Sequence, residues 1–283
     1  MSKDNNKSGF SILKCGDKDI NLSRKIVMAI VNVTPDSFFD GGVNNTETAW
    51  LYKVEQSIGD GAGIIDIGAI STRPRAAEVS QSEELERLIP AIRSIVKHFP
   101  EIVISVDTYR SAVAKIMIDE GAGMINDISG GTFDPEIFSV VANANLPYIA
   151  MHIKGTPGNM QANPVYKDVS VEVIDFLKQQ TQKALLAGVQ QVIWDPGFGF
   201  GKTVEHNYRL MKDLKMFKTS GYPLLVGISR KSMINAVLGT KPVGALNGTT
   251  VLNTFALLNG ADILRVHDVK EAVEAIKLVD MLS

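Results

Sequence analysis

The chain has 283 residues, of which 45% are apolar and 21% are charged, and its formal net charge is −2. This composition suits a globular domain with a large buried core, and it argues against a general binder of nucleic acid or of membrane surfaces. The single cysteine, Cys15, excludes an internal disulfide and a cysteine-cluster metal site. Without a long apolar run or a signal-peptide core, the sequence reads as a cytoplasmic enzyme-sized domain.

The predicted elements begin with a β-hairpin. Residues 1–8 are polar, and we expect them to form a disordered tail. The stretch "FSILKCGDKDINL" follows, with two short strand-like runs around Gly16 and Asp17. We expect this hairpin to cap the bottom of the domain and to have no role in chemistry.

After the hairpin, one pattern recurs to the end of the chain. An apolar run stops at a polar residue, a loop rich in Gly, Pro and Ser follows, and then a helical pattern begins. Such near-continuous apolar runs are typical of parallel strands buried on both faces. The predicted strands are 26–32, 63–68, 102–107, 123–128, 147–152, 191–195, 223–229 and 262–267.

Eight strands that alternate with helices favour an α/β fold, a single (β/α)8 TIM barrel over residues 1–283. A doubly wound sheet is the alternative, because a strand count from sequence alone leaves it open. Two of the helices have readable ends: Ser82 is predicted to open one, and Gly188 to follow the last turn of another.

The stretch "VIWDPGFGFGKT" at 192–203 first suggests a nucleotide-binding loop. It fits neither the Walker spacing, where Pro196 stands in place of glycine, nor GxGxxG. We interpret it as a strand that ends at Asp195, followed by glycines that let the backbone turn tightly. Lys202 and Thr203 are expected to begin the next helix and not to bind phosphate.

In a barrel of this kind, the active site lies at the carboxyl ends of the strands. Side chains that accept hydrogen bonds end the third, fourth and sixth barrel strands, and cationic side chains follow the seventh and eighth. The expected ligand therefore has one end rich in hydrogen-bond donors and one anionic end. Burying these groups without a ligand would cost several kcal/mol. The strand ends contribute Asn32, Asp66, Asp107, Asn126, Asp127, His152, Asp195, Ser229, Lys231, Arg265 and His267.

Some of these residues also have a purely structural interpretation. Asp127 could cap a helix, and Asp66 could bind neighbouring loop backbone. His152 could equally be a core histidine or a ligand contact. His98 and His206 are expected to be solvated.

Eight motifs in order carry a resemblance to a known family. They are "IVNVTPDSFFDGG", "STRP", "SVDTYRSAVA", "INDISGG", "MHIKGTP", "DPGFGFGKT", "GISRKS" and "LRVHDV". Over nearly its full length the chain resembles the dihydropteroate synthases, the pterin-binding barrel enzymes of folate biosynthesis. The resemblance implies condensation of dihydropterin-methyl diphosphate with 4-aminobenzoate, Mg²⁺ as cofactor, and a homodimer.

The resemblance also implies residue roles. The pterin would be held by Asp107, Asn126, Asp195 and Lys231, and the leaving diphosphate by Arg265 and His267. Mg²⁺ would contact Asn32, and Ser232 would lie beside the aminobenzoate carboxylate. Two mobile loops would add Asp36, Phe38, Thr72, Arg73 and Pro74. The catalytic set would be Asp36, Arg73, Lys231, Arg265 and His267, with no covalent nucleophile.

One loop departs from the family pattern. The family usually reads "GGESTRPGA", whereas this chain reads "GAISTRPRA". Ala69, Ile70 and Arg75 replace glycine, glutamate and glycine, which makes the loop more basic. The family is the target of sulfonamides, but this sensitivity cannot be carried over to the altered loop.

Two other functions stay open. A methyltetrahydrofolate:corrinoid methyltransferase shares the pterin-binding barrel and would keep Asp107, Asn126 and Asp195, but it has no need of a diphosphate site. "SRKS" and "RVHDV" therefore favour the synthase. A catalytically silent pterin-binding protein would predict loss of Asn32, Asp36 or Arg265, yet all three are present.

Overall fold

The structure, a computed structural model, describes residues 11–34, 46–70 and 79–282. Within these ranges the strands are Ile12–Cys15 (β1), Lys18–Asn21 (β2), Ile26–Asn32 (β3), Ile64–Gly68 (β4), Val103–Asp107 (β5), Met124–Asp127 (β6), Pro147–Met151 (β7), Gln191–Asp195 (β8), Leu225–Val226 (β9) and Ile263–Val266 (β10). The α-helices are Thr46–Gly59 (α1), Gln81–His98 (α2), Ser111–Asp119 (α3), Ile137–Ala144 (α4), Val169–Leu186 (α5), Val204–Lys212 (α6), Leu214–Lys218 (α7), Ser232–Leu238 (α8), Leu246–Leu258 (α9) and Val269–Asp280 (α10).

The strands β3 to β10 form the predicted barrel. All their pairings are parallel, in the order β8-β7-β6-β5-β4-β3-β10-β9. A parallel bridge between Trp194 and Leu224 brings the two end strands together. The (β/α)8 prediction is confirmed, and the doubly wound alternative is wrong. No helix in the described ranges is both long and apolar enough to cross a bilayer.

The seventh barrel strand is shorter than predicted. The run 223–229 contains only the two ladder residues of β9. Beyond them the chain turns, with Lys231 N–H donating to Ile228 O at 3.1 Å. Arg230, inside this turn, has a left-handed φ of 57°. Because this turn already begins at Ile228, the last residues of the predicted run belong to the turn and not to the ladder.

Alternation along the strands sorts the barrel interior into layers. Ile64, Val103 and Met124 belong to an apolar cluster that also contains Met28, Ile149, Ile193, Leu225 and Ile263. Because side chains two residues apart share a face, the next inward positions lie toward the carboxyl ends. These include Asp66, Ser105, Asn126, Asp195 and Arg265. The interior is therefore apolar at the bottom and polar at the top.

The N-terminal hairpin closes the apolar end, as predicted. Strands β1 and β2 pair antiparallel, and Leu13, Cys15 and Ile20 join the lower interior cluster. The side-chain amide of Gln191 exchanges hydrogen bonds with the backbone of Lys14, at 2.7 and 3.1 Å. The hairpin thus satisfies a buried amide at the start of β8 while covering apolar side chains.

Helix ends follow local capping chemistry, with one correction. Helix α2 is capped by Ser80, not Ser82: Ser80 Oγ accepts from Glu83 N–H, and the Glu83 carboxylate accepts from Ser80 N–H. Such a box satisfies two donors at the first turn. Helix α5 is followed by Gly188 at a φ of 100°, as predicted.

Candidate active site

Four positions lie in one row at the open end of the barrel. In the ladder, Asn32 pairs with Gly68, Gly68 with Asp107, and Asp107 with Asn126. A Cβ atom built on Gly68 would lie 3.4 Å from Asp107 Cβ and 3.5 Å from Asn32 Oδ1. The structure therefore brings together three of the predicted site residues, with glycine leaving room between Asn32 and Asp107.

Arg265 joins this row to a deeper carboxylate. Its Nε donates to Asp66 Oδ2 at 2.6 Å, and its Nη2 donates to Asp107 Oδ2 at 2.9 Å. Asn126 Nδ2 also donates to Asp66 Oδ2, at 3.1 Å. Arginine and amide donors from β10 and β6 thus meet carboxylates from β4 and β5.

The interpretation of Asp66 as a loop-binding residue is wrong. Its partners are side chains, and the residue is fully buried. Residues 64, 66 and 68 share one strand face, so Asp66 must point into the barrel. A carboxylate at such a position requires a cation, because an unpaired buried charge is very costly. The period of two along "IIDIG" is the signal that could have placed Asp66 in the site.

Burial shifts the ionisation of the site. It raises the pKa of Asp107 to about 7, against the opposing effect of Arg265. It also raises the pKa of Asp195, which Lys231 opposes, and it lowers the pKa of Lys231 to about 8. Burial disfavours the charged form of Arg265, but Asp66 and Asp107 outweigh it and raise the arginine pKa. The site therefore favours a ligand whose donors replace the water that its carboxylates have lost.

Asp195 and Lys231 occupy the other side of the mouth. Gly197 N–H donates to Asp195 Oδ1 at 2.7 Å, which fixes the carboxylate at the end of β8. Lys231 Nζ donates to Phe198 O and lies 4.8 Å from the ring centroid of Phe200. The glycine-rich stretch thus supplies backbone groups to both charged side chains.

Lys202 has a different place from the predicted one. Thr203 caps α6 through a bond from His206 N–H, so it opens the helix as expected. Lys202 instead turns inward: it is 3% exposed, and its Nζ lies 2.8 Å from His152 Nδ1 and 2.8 Å from Gly197 O. It also donates to Phe200 O at 3.0 Å. Lys202 therefore stabilises the loop that follows Asp195 by hydrogen bonds to two of its carbonyl oxygens.

The structure decides among the interpretations of the histidines. His152 is buried, and burial followed by the charge of Lys202 lowers its pKa to about 2, so it is a neutral core residue. His98 is exposed, as expected. The expectation for His206 is wrong: the residue is half-buried, because its ring accepts from Thr203 N–H at 3.2 Å and packs on Tyr166.

His267 was predicted to share an anion site with Arg265. Its Nδ1 and its N–H both lie 3.1 Å from Ser229 Oγ. Burial, then Lys53 and Arg265, lower its pKa to about 4. In the free protein His267 is therefore a neutral hydrogen-bonding group, and the cation at the end of the eighth barrel strand is Arg265.

Two further predicted residues are placed clearly. Asp127 does not cap a helix: its carboxylate accepts from Ser129 N–H, Gly131 N–H and Tyr148 OH, on the face opposite Asn126. It organises the loop after β6. Ser232 is exposed in the first turn of α8, next to Lys231.

The remaining predicted residues lie outside the described ranges. They are Asp36, Phe38, Thr72, Arg73 and Pro74, and the unusual Arg75 also belongs to this group. Of the altered second loop, Ala69 is fully buried and its carbonyl accepts from Arg87 Nη1 at 3.0 Å.

Comparison with known proteins identifies the family of this chain. The model of the family described as "Pterin binding enzyme" matches residues 28–267. The dihydropteroate synthase of Escherichia coli K12 is 44% identical over 263 residues, which is 92% of this chain and 93% of that protein.

Solved structures of the same enzyme superpose closely. That of Yersinia pestis, in complex with a sulfonamide drug, has a TM-score of 0.90 at 40% identity, covering 96% of this chain and 98% of that one. That of Xanthomonas albilineans with 4-aminobenzoic acid has a TM-score of 0.90 at 37% identity, with the same coverage. A second X. albilineans structure, with 7,8-dihydropteroate, has a TM-score of 0.87 at 35% identity and again the same coverage. With the family match over most of its length and relatives above 40% identity, the chain belongs to the dihydropteroate synthases of the pterin-binding enzyme family.

Proposed function

We propose that this protein condenses (7,8-dihydropterin-6-yl)methyl diphosphate with 4-aminobenzoate, giving 7,8-dihydropteroate and diphosphate. The observation that carries the proposal is the convergence at one barrel mouth of Asp107, Asn126, Asp195, Lys231 and Arg265. The relatives support it, since one solved structure holds 4-aminobenzoic acid and another holds 7,8-dihydropteroate.

The acceptors suit a pterin. Its amino group and ring N–H are neighbouring donors, and the Asp195 carboxylate can accept both. Asn126 adds an amide, and Lys231 offers donors to the ring carbonyl or a ring nitrogen. Because Asp195 and Asn126 are almost fully buried, these hydrogen bonds form where water does not compete.

The reaction depends on the departure of diphosphate and on the positioning of the aniline nitrogen more than on proton abstraction. The bond between the methylene carbon and diphosphate oxygen breaks, and both electrons leave with diphosphate. The aniline lone pair forms the new carbon–nitrogen bond, and the surplus proton on nitrogen is released. Arg265 faces the leaving group as a fixed cation, and Lys231 adjoins both substrates. No covalent enzyme intermediate is required.

The residues present fit a magnesium ion that is held mainly by substrate. Within the described ranges no group of three or more His, Cys, Asp or Glu side chains could hold a metal. Mg²⁺ in phosphate-transfer sites commonly takes one or two protein ligands plus phosphate oxygens, and Asn32 offers one amide oxygen beside Gly68. When bound, the cation would neutralise charge on the departing diphosphate.

We also propose that two copies associate through the α9 face. Val251, Phe255 and Leu258 follow helical spacing, and they are 59%, 39% and 52% exposed. Val243, in the turn before α9, is 82% exposed. Apolar side chains clustered on one helix face are typical of a surface that another copy covers.

Turnover measured with purified protein tests the proposed reaction. Diphosphate release and dihydropteroate formation should rise together, and only when both substrates and Mg²⁺ are present. A chelator should stop turnover, and added Mg²⁺ should restore it. A protein that binds the pterin diphosphate yet forms no dihydropteroate under any metal condition would be a binding protein and not this enzyme.

A further inference from the structure

We propose that Asp66 is a positioning residue that determines which atoms Arg265 and Asn126 present to the pterin substrate. The inference rests on the proposed function for the identity of the ligand. Its structural part, a shared anchor for two ligand-facing side chains, stands on the geometry alone.

One carboxylate oxygen joins the two side chains. Asp66 Oδ2 accepts from Arg265 Nε at 2.6 Å and from Asn126 Nδ2 at 3.1 Å. The three residues come from β4, β6 and β10: β5 separates β4 from β6, and β3 separates β4 from β10. Asp66 therefore couples two side chains that have no hydrogen bond to each other among the described contacts.

The anchor restricts Arg265 strongly. Its Nε bonds to Asp66, and its Nη2 bonds to Asp107 at 2.9 Å. A guanidinium is planar, so two bonds along one edge fix the orientation of the whole group. Within the described part of the chain, the Nη1 donors on the other edge have no hydrogen bond, so they and the flat face can contact a ligand.

The anchor also orients the Asn126 amide. Since Nδ2 donates to Asp66, the amide oxygen is turned away from Asp66. Asn126 is 3% exposed, so an amide rotated the other way would bring its oxygen against the Asp66 carboxylate. Asn126 is therefore set as an acceptor, and it selects a ligand donor at that point.

Few other groups compete for Asp66. Its Oδ1 is buried without a hydrogen-bond partner, and so is the hydroxyl of Ser105, its ladder neighbour on β5. Arg265 and Asn126 are thus the groups that compensate the carboxylate in the described part of the chain. Replacing Asp66 should therefore change the orientation of these two side chains more than any other described contact.

The variant Asp66→Asn keeps the size of the side chain but removes the negative charge that holds the Arg265 guanidinium, leaving at most a neutral amide oxygen as the acceptor. Asp262→Asn is the matched control. Asp262 is a buried carboxylate at the opposite end of β10, where it pairs with Lys25 and Lys218 at 3.2 and 2.5 Å. Both variants remove the charge of one buried carboxylate that pairs with cations, but only Asp66 adjoins the proposed pterin site.

Calorimetric titration with the pterin diphosphate, and steady-state kinetics with both substrates, compare the variants. We expect Asp66→Asn to weaken pterin binding at least tenfold and to raise the pterin KM, with the aminobenzoate KM at saturating pterin changed less than twofold. Asp262→Asn should lower Tm with both KM values unchanged. Pterin affinity of Asp66→Asn within twofold of wild type overturns the proposal, as does equal loss of affinity in both variants.

Solvent exchange of the Arg265 Nε–H in the wild-type protein tests the same anchor without the Asp66→Asn variant. In ¹⁵N-labelled protein without substrate, the Arg265 Nε–H signal, assigned by its loss in Arg265→Lys, should exchange slowly with solvent at neutral pH. Rapid exchange of that proton overturns the anchor. This measurement does not depend on turnover. A wild-type protein without enzymatic activity would count against the proposed function, whereas the exchange rate alone would decide whether Asp66 holds Arg265.

Discussion

Gly197 occupies the tightest point of the loop that carries Asp195, so an added methyl group there has a calculable effect. Its φ is 68°, and a Cβ atom built on it would lie 1.9 Å from the carbonyl oxygen of His152. Ordinary carbon–oxygen contact begins near 3.4 Å, so Gly197→Ala must separate the two segments by about 1.5 Å. Gly199→Ala is the matched control, because Gly199 has a φ of 84° but its nearest contact would be Lys231 Cδ at 3.4 Å.

Both variants place an alanine in a left-handed backbone conformation, but only Gly197→Ala also breaks hydrogen bonds. A left-handed alanine costs about 1–2 kcal/mol, and the stiffer unfolded chain offsets about 0.4–1 kcal/mol of that. Gly199→Ala should therefore destabilise the protein by about 1 kcal/mol. The displacement in Gly197→Ala also breaks the bonds from Gly197 N–H to Asp195 and from Lys202 to Gly197 O. At about 1–3 kcal/mol for each of the two buried groups left unpaired, added to the shared cost of about 1 kcal/mol, the total becomes about 3–7 kcal/mol.

Thermal unfolding and kinetics measure both consequences. For a chain of this length about 2 °C of Tm corresponds to 1 kcal/mol, so Tm should fall by about 2 °C in Gly199→Ala and by about 6–14 °C in Gly197→Ala. The pterin KM should rise at least about tenfold in Gly197→Ala alone, since a loss of about 1.4 kcal/mol at Asp195 suffices. Equal Tm values and equal pterin KM values for the two variants would refute the steric argument.

Three further predictions concern the site, the core and the surface. Asp195→Asn should weaken pterin-diphosphate binding by about 2–3 kcal/mol with little change in Tm, and unchanged calorimetric affinity would remove Asp195 from the site. Because the folded pKa of His152 is lowered to about 2, its stabilising contribution is complete above the unfolded value of about 6.5 and is lost as pH falls. The urea-unfolding free energy of wild type relative to His152→Gln should thus fall by about 2 kcal/mol from pH 7.5 to 5.0, and parallel pH profiles would contradict a buried neutral histidine. If two copies associate through the α9 face as proposed, the wild type should sediment as a dimer, Phe255→Glu as a monomer, and the exposed control Leu186→Glu on α5 as the wild type does. A monomeric wild type, or a Phe255→Glu variant that stays dimeric, would contradict this interface.

Local sequence signals were sufficient for the elements and for most of the residues at the barrel mouth. Apolar runs that stop at polar residues marked every barrel strand, because a strand buried on both faces must be apolar until it reaches the open end. The turn at Gly16 and the Gly188 helix end were readable for the same local reason, since backbone conformation at those points depends on neighbouring residues.

The partners of the charged residues were decided only by the tertiary structure. Asp66 and Arg265 are separated by 199 positions in sequence, and their 2.6 Å contact exists because β4 and β10 close into one barrel. Lys202 looked like the first residue of a helix, but the curvature of the glycine loop turns its ammonium group toward His152 and Gly197. The neutral state of His267 likewise depends on burial beside Lys53 and Arg265. Residue types at strand ends follow from local burial, whereas pairing and ionisation depend on distances between strands that no local pattern contains.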